Sequence, residues 1–177
     1  MSNRSIGDYD ATIDRINTVF KEVGIHPDEL SQLDHLCYRT ETMEEYHRAI
    51  KTFGLLGVSL GEVEVEGRPI AVVRLDEPIV SGGWTVDFLE VAAPKTSSPY
   101  PSGLEHAEFV TRGLLTDFEQ RHQELPFKRD AMNRTVNPEL KFREHGISVK
   151  FHQLNIGAVI RIEEALAKEA ARQADVV

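Results

Sequence analysis

The sequence predicts an α+β fold made of two successive β-α-β-β-β halves, with an extra helix at each end of the chain. Two observations predict it. The order of element types, read from hydrophobic periodicity, repeats on either side of a proline- and serine-rich stretch at residues 92–104. Four polar residues also occupy equivalent places in the halves: His35 and His106 on the first strands, Glu90 and His152 on the fourth. Residue identity between the halves is poor, so the repeat rests on element order and on these four positions.

The elements follow in order. Tyr9, Ile13, Ile16, Phe20 and Val23 recur at steps of four and three, which makes one apolar stripe of a helix that Gly24 stops. His26-Pro27-Asp28 reads as a turn or a short helix start. The run His35 to Thr40 is extended. Thr42-Met43-Glu44-Glu45 has the spacing of a capping box ahead of a helix carrying Tyr46, Ile50 and Phe53 on one face. Glu62 to Val65 alternates, Glu66-Gly67 reads as a hairpin turn, and Ile70 to Leu75 is mostly apolar. Trp84 to Val91, after Gly82-Gly83, is a fourth strand. In the second half His106 to Thr111 is strand-like, and Leu114, Leu115, Phe118 and Leu125 suggest a helix ending at Pro126. Phe127 to Met132, Leu140 to Arg143 and Ile147 to His152 are strand candidates. A last helix begins near Ile156, with Val159, Ile160 and Leu166 apolar. The expected organisation is a helical extension at 1–33, a core at 34–155 with modules of about 34–92 and 105–155, and a terminal helix at 156–177.

Composition narrows the function classes. Among 177 residues, 20 are Lys or Arg and 29 are Asp or Glu, a formal charge of −9. No basic run relieves that charge, so a nucleic-acid partner is not expected. A hydrophobic fraction of 41% and a charged fraction of 28% are ordinary for a globular protein with a core. One cysteine, Cys37, excludes an internal disulfide framework and a multi-cysteine zinc knuckle. No apolar run reaches membrane-spanning length and no secretory h-region is present, so the expectation is a cytoplasmic monomer or homodimer without a membrane partner.

If the halves pair their sheets into one curved surface, His35, Glu90, His106 and His152 converge. Imidazole and carboxylate together suit zinc, iron, manganese or nickel. Strand alternation puts Cys37 and Arg39 on the face of His35, Glu108 on that of His106, and Lys150 on that of His152. Polar groups inside a cup are costly unless paired or used. Arg39 is then a candidate for orienting an anionic substrate, and Glu108 for a general base or a partner of a histidine. The competing reading is that Arg39, Glu108 and Lys150 form ion pairs that only hold the cup. Cys37 reads as a small core residue. His26, His47, His122 and His145 read as solvated.

Several short blocks occur in an order that resembles YecM-like proteins of the vicinal oxygen chelate superfamily, which also holds glyoxalases, extradiol dioxygenases and bleomycin-resistance proteins. They are Asp34 to Arg39, Gly67 to Ile70, Trp84 to Glu90, Tyr100-Pro101 with Glu105 to Glu108, Asn137-Pro138, and Lys150 to His152, together spanning roughly residues 30 to 165. The resemblance implies paired βαβββ modules in a cupped, barrel-like mixed sheet around a divalent metal. It implies ligands on first and last strands, which fall here on His35, Glu90, His106 and His152. His152 departs from the glutamate common in the superfamily, and Asp87 competes with Glu90.

Three functions follow as expectations. The first is a metal-dependent enzyme, of isomerase, lyase or oxygenase type, acting on a small oxygen-rich anionic metabolite. The second is a non-catalytic protein that holds a ligand or metal in the same cup. The third is an interaction protein working through its terminal helices.

Overall fold

The structure, a computed structural model, describes residues 6–174. The ends of both expected terminal segments, 1–5 and 175–177, lie outside the described residues. The chain runs α1 (Tyr9–Val23), a 3-10 turn (Pro27–Glu29), β1 (Leu30–Arg39), α2 (Met43–Phe53), β2 (Gly57–Val65), β3 (Arg68–Ser81) and β4 (Trp84–Ala92). It continues through β5 (Gly103–Thr111), α3 (Leu115–Arg121), β6 (Lys128–Ala131), β7 (Glu139–Phe142), β8 (Val149–His152) and α4 (Ile156–Ala174). The order is the two β-α-β-β-β halves with flanking helices that the sequence predicts.

All eight strands join one open mixed sheet in the order β2-β3-β4-β1-β5-β8-β7-β6. Within each module the first strand pairs parallel with the last, β1 with β4 and β5 with β8. The modules meet where β1 and β5 pair antiparallel. The two first strands therefore lie side by side at the centre, and the sheet curves so that residues of β2, β3, β6 and β7 line one concave cavity.

The convex face carries the main core. Ile13, Ile16, Val19 and Phe20 of α1 are buried, as the stripe requires. The Phe20 ring lies tilted against Phe109 of β5 at 5.1 Å and against Phe151 of β8 at 5.8 Å, while Trp84 meets Phe109 edge-on at 5.2 Å. Each aromatic ring so buried contributes about 2 kcal/mol. Asn17 of α1 donates to the Gly82 carbonyl at 2.8 Å and accepts from Trp84 Nε1 at 2.8 Å, which fixes the helix to the β3–β4 turn. A side chain at Gly82, where φ is 54°, would strike Ile13 and Asn17. The apolar face of α1 thus covers its own sheet and is not a partner surface. The expected capping box of α2 is present, Thr42 Oγ1 accepting from the Glu45 amide at 3.2 Å and Glu45 Oε2 from the Thr42 amide at 3.1 Å.

Several element limits differ from the sequence expectation. β1 starts at Leu30, and β3 continues through Pro78 to Ser81. The register between Arg74 and Ile79 slips, which gives the proline, lacking an N–H, an irregular place in the ladder. α3 ends at Arg121, before Pro126, because His122 leaves helical geometry. α4 has an apolar stripe but buries only Gly157. No described helix is long and apolar enough to cross a membrane.

His122 corrects the reading of four solvated histidines. It is 5% exposed, and its Nε2 lies 3.0 Å from Glu29 Oε1. Arg121 Nε donates to Glu29 Oε2 at 2.7 Å, so the 3-10 turn is tied to the end of α3. Burial raises the Glu29 carboxyl, but the bonds from Arg121 and the His26 amide and the charge of His122 leave it below its ordinary value. A depressed carboxyl stabilises the fold above its unfolded pKa, and that stability is lost as pH falls through the folded value. Glu29→Gln is expected to lower unfolding free energy by about 1 kcal/mol at pH 7. The gap to wild type in urea denaturation narrows below about pH 4.

Candidate metal centre in the cup

The concave face encloses about 1180 Å³ and is lined by residues of both modules. Its floor under the first module is apolar: Cys37, Ile70 and Ala92, with Val65 against them. Above it lie the four sequence-predicted ligand positions, and the register explains their spacing. Glu90 of β4 pairs with Cys37 of β1, which pairs with His106 of β5. The small thiol between them leaves room for both longer side chains. In the next row His35 pairs with Glu108 of β5.

His35, Glu90 and His106 each offer a donor atom, and the three atoms lie within 4.8 Å of one another. His35 is 2% and His106 8% exposed. His152 stands outside this group of three. Its ring stacks on that of His35 with centroids 6.5 Å apart, and its Nε2 lies 3.2 Å from Glu108 Oε2 without hydrogen-bond alignment. Asp87, the competitor of Glu90, is exposed and does not line the cavity.

Two carboxylates absent from the sequence-based site set complete it. A regular strand would send Asp34 away from His35, and Glu105 away from His106. The β1–β5 ladder instead slips between Leu33 and His35, and again between Cys37 and Tyr38, where Glu105 is the unpaired residue. Each slip inserts one residue and turns the acid onto the histidine's face. Asp34 Oδ2 then lies 3.1 Å from His35 Nδ1, and Glu105 Oε2 lies 3.4 Å from His106 Nδ1. Asp34 Oδ2 also accepts from the Ile156 amide at 2.8 Å, which ties the start of α4 to the site. The repeated acid-histidine dipeptides, Asp34-His35 and Glu105-His106, are the signal that could have found both acids.

With each Nδ1 held by an acid, both Nε2 atoms turn towards Glu108. Glu108 Oε1 lies 3.1 Å from His106 Nε2 and 3.4 Å from His35 Nε2. It also accepts from Lys150 Nζ at 2.6 Å. Burial raises the Glu108 carboxyl, but the charges of Lys150 and then His35 hold it well below the usual carboxylate range. The same pairing raises Lys150, against the effect of burial. His35 is raised well above its ordinary value, because Glu108 and Asp34 outweigh desolvation. Burial and the charge of Glu90 push the Cys37 thiol up, so it is a neutral core group.

Arg39 is 3% exposed, and both terminal nitrogens of its guanidinium are engaged within the protein. Nη1 donates to Glu105 at 2.9 Å, Nη2 donates to the Ser98 carbonyl, and the group sits 5.6 Å over the Tyr100 ring. Burial opposes Glu105 ionisation, yet His106 and Arg39 bring its carboxyl down to about 2. Arg39 therefore pins the loop between the modules to the site.

The chemistry of the donor set fits a divalent cation. Asp34, Glu90, Glu105, Glu108 and Glu139 line the cavity near Arg39 and Lys150. His35 Nε2 is a buried donor atom without a hydrogen-bond partner. Histidines whose other ring nitrogen is held by a carboxylate are the arrangement that orients imidazole towards a metal.

The chain and its fold are similar to known proteins. The chain is 26% identical over 150 residues to Protein YecM of Escherichia coli (strain K12), covering 75% of this chain and 78% of that one. The solved structure of Protein EC4020 superposes with a TM-score of 0.76 at 26% identity, covering 92% of this chain and 97% of that one. Methylmalonyl-CoA epimerase from Streptomyces coelicolor, solved with 2-nitronate-propionyl-CoA, superposes with a TM-score of 0.52 at 16% identity, covering 70% and 97%. That likeness is one of fold, the vicinal oxygen chelate arrangement of paired βαβββ modules. The family described as YecM protein matches residues 2–136, and the chain belongs to that family.

Proposed function

We propose that the cup holds one divalent metal ion on His35, Glu90 and His106, and that the protein is a metal-dependent enzyme acting on a small oxygen-rich anion. The observation that carries this reading is the convergence of three donor atoms from three strands within 4.8 Å, two of them on imidazoles backed by an acid. Such an ion supplies positive charge that polarises a substrate oxygen.

The chain's own residues do the rest. Asp34 and Glu105 orient the imidazoles. Glu108, paired with Lys150, keeps both Nε2 atoms turned into the cup and balances charge there. His152 flanks Glu108 at 2% exposure and shields it from water. Arg39 acts as a positioning residue through Glu105 and Ser98 rather than by holding substrate. The four residues expected as ligands thus divide into three donors and one neighbour.

A second reading, ligand or metal holding without turnover, is favoured by one observation. Glu108 is engaged by Lys150 and His106, and Glu105 by Arg39 and His106, so the cation pairing that holds both below the ordinary carboxylate range makes each a weak base. Turnover in metabolite screens that disappears in His35→Ala would decide for the enzyme. A ligand-induced thermal shift with no product would decide for the holding protein.

Two outcomes are expected. Calorimetric titration of chelator-treated protein with zinc, manganese, nickel or iron(II) should show one site per chain. His35→Ala and His106→Ala should each weaken it about 100-fold, while Cys37→Ser leaves it intact. Absence of uptake at micromolar metal in the wild type removes the proposal. Lys150→Met should lower unfolding free energy in metal-free buffer by about 3 kcal/mol, because Glu108 and Glu139 lose their ammonium. Added divalent metal should restore part of that loss in urea denaturation, since it supplies the missing positive charge.

A further inference from the structure

The concave face carries a row of cations that starts at Lys150, the partner of Glu108, and runs beyond the metal site. Lys150 on β8 pairs with Lys141 on β7, and Lys141 pairs with Lys128 on β6. The row continues from the centre, since Glu108 on β5 is opposite Lys150. All three lysines line the cavity, as does Arg143, two residues beyond Lys141. Like charges directly opposite on one sheet face repel. A protein of net charge −9 has enough acidic residues to alternate such a row, yet here it does not.

The three lysines differ in their partners. Lys150 is bound to Glu108 and stands 3.4 Å from Glu139. Lys141, Lys128 and Arg143 form no ion pair within 4.0 Å among the described residues. The neighbouring carboxylates are engaged elsewhere: Glu139 with Lys150 and Arg134, Glu105 with Arg39 and His106. Asp130 of β6 lines the same cavity two residues from Lys128, both exposed, but among the described residues it makes no ion pair with these cations. Burial and the charge of Lys150, with that of Arg143, lower Lys141 from its ordinary value, against the opposing charges of Glu105 and Glu139.

We infer that Lys141 and Lys128, with Arg143, form a subsite for an oxyanion at the far end of the ligand, a phosphate or a carboxylate. The inference deepens the proposed function and rests on its ligand-holding cup. Lys141 lies two strand spacings from Glu108, roughly 10 Å. The ligand class is therefore an elongated molecule whose oxygen-bearing end faces the donor group while its anionic end reaches the lysines. Lysine suits this task, because its ammonium is a compact point charge that needs no planar partner.

The test titrates chelator-treated, desalted protein with inorganic phosphate, and separately with pyrophosphate, at low and constant ionic strength. Saturable binding at one site is expected. Lys141→Gln should weaken it at least tenfold, and Lys141→Gln with Lys128→Gln should abolish it. Circular dichroism melting checks that the variants fold, and divalent-metal titration of the same variants should match wild type. Loss of anion binding in these variants with no metal uptake in any form would sink the metal reading and leave the subsite standing. Normal metal uptake with no saturable anion binding, or with binding unchanged in the double variant, would overturn the subsite alone. Anion binding that appears only after metal loading would place the anion on the ion and likewise overturn it.

Discussion

A pleated strand sends neighbouring side chains to opposite faces, and this protein breaks that rule beside each of its two central histidines. At Asp34 and at Glu105 the β1–β5 ladder gains a residue, so an acid and the histidine after it share the concave face. Much of the cup's polar geometry depends on those two slips. They fix each Nδ1 against a carboxylate, turn each Nε2 to Glu108, and through Asp34 anchor the first amide of α4. A ladder without bulges would bury both acids in the aromatic core, where an unpaired carboxylate is costly.

The charge balance follows from that placement. Carboxylates brought together this closely repel unless cations lie among them, and Lys150 and Arg39 take that role in different ways. Lys150 reaches Glu108 and Glu139 from β8, a strand of the second module. Arg39 reaches Glu105 and the inter-module loop from β1. The Lys150 pairs tie strands within the second module, whereas the Arg39–Glu105 pair joins β1 to β5 and so also holds the halves in register. The Cys37 thiol has a packing role: as the small residue between Glu90 and His106, it sets how closely they approach.

The convex side supplies rigidity. Phe20, Trp84, Phe109, Phe118, Phe127 and Phe151 form a connected aromatic cluster under the central strands. Alternation then makes Phe109 and Phe151 the convex neighbours of Glu108, Lys150 and His152. Packing on one face thereby limits the freedom of polar groups on the other, which a site built on strands requires.

Periodicity carried the element order and its repeat, residue spacing carried the capping box at Thr42, and the repeat brought His35, Glu90, His106 and His152 to one cavity, because these depend on residues close in sequence or on a repeated pattern. The acid-histidine dipeptides were equally visible in the sequence, but strict alternation sends an acid and the histidine after it to opposite faces, and the bulges that bring Asp34 and Glu105 round arise from pairing with the partner strand. His122 read as solvated because Glu29, which pairs with it, lies 93 residues away in sequence. The exposure of Asp87 and the nearness of Glu90 to His35 and His106, the position of His152 outside that group, the engagement of Arg39 and the alignment of Lys128, Lys141 and Lys150 all follow from strand register. Local sequence sets which face a residue prefers, whereas register sets who stands opposite, and that is a property of the assembled sheet.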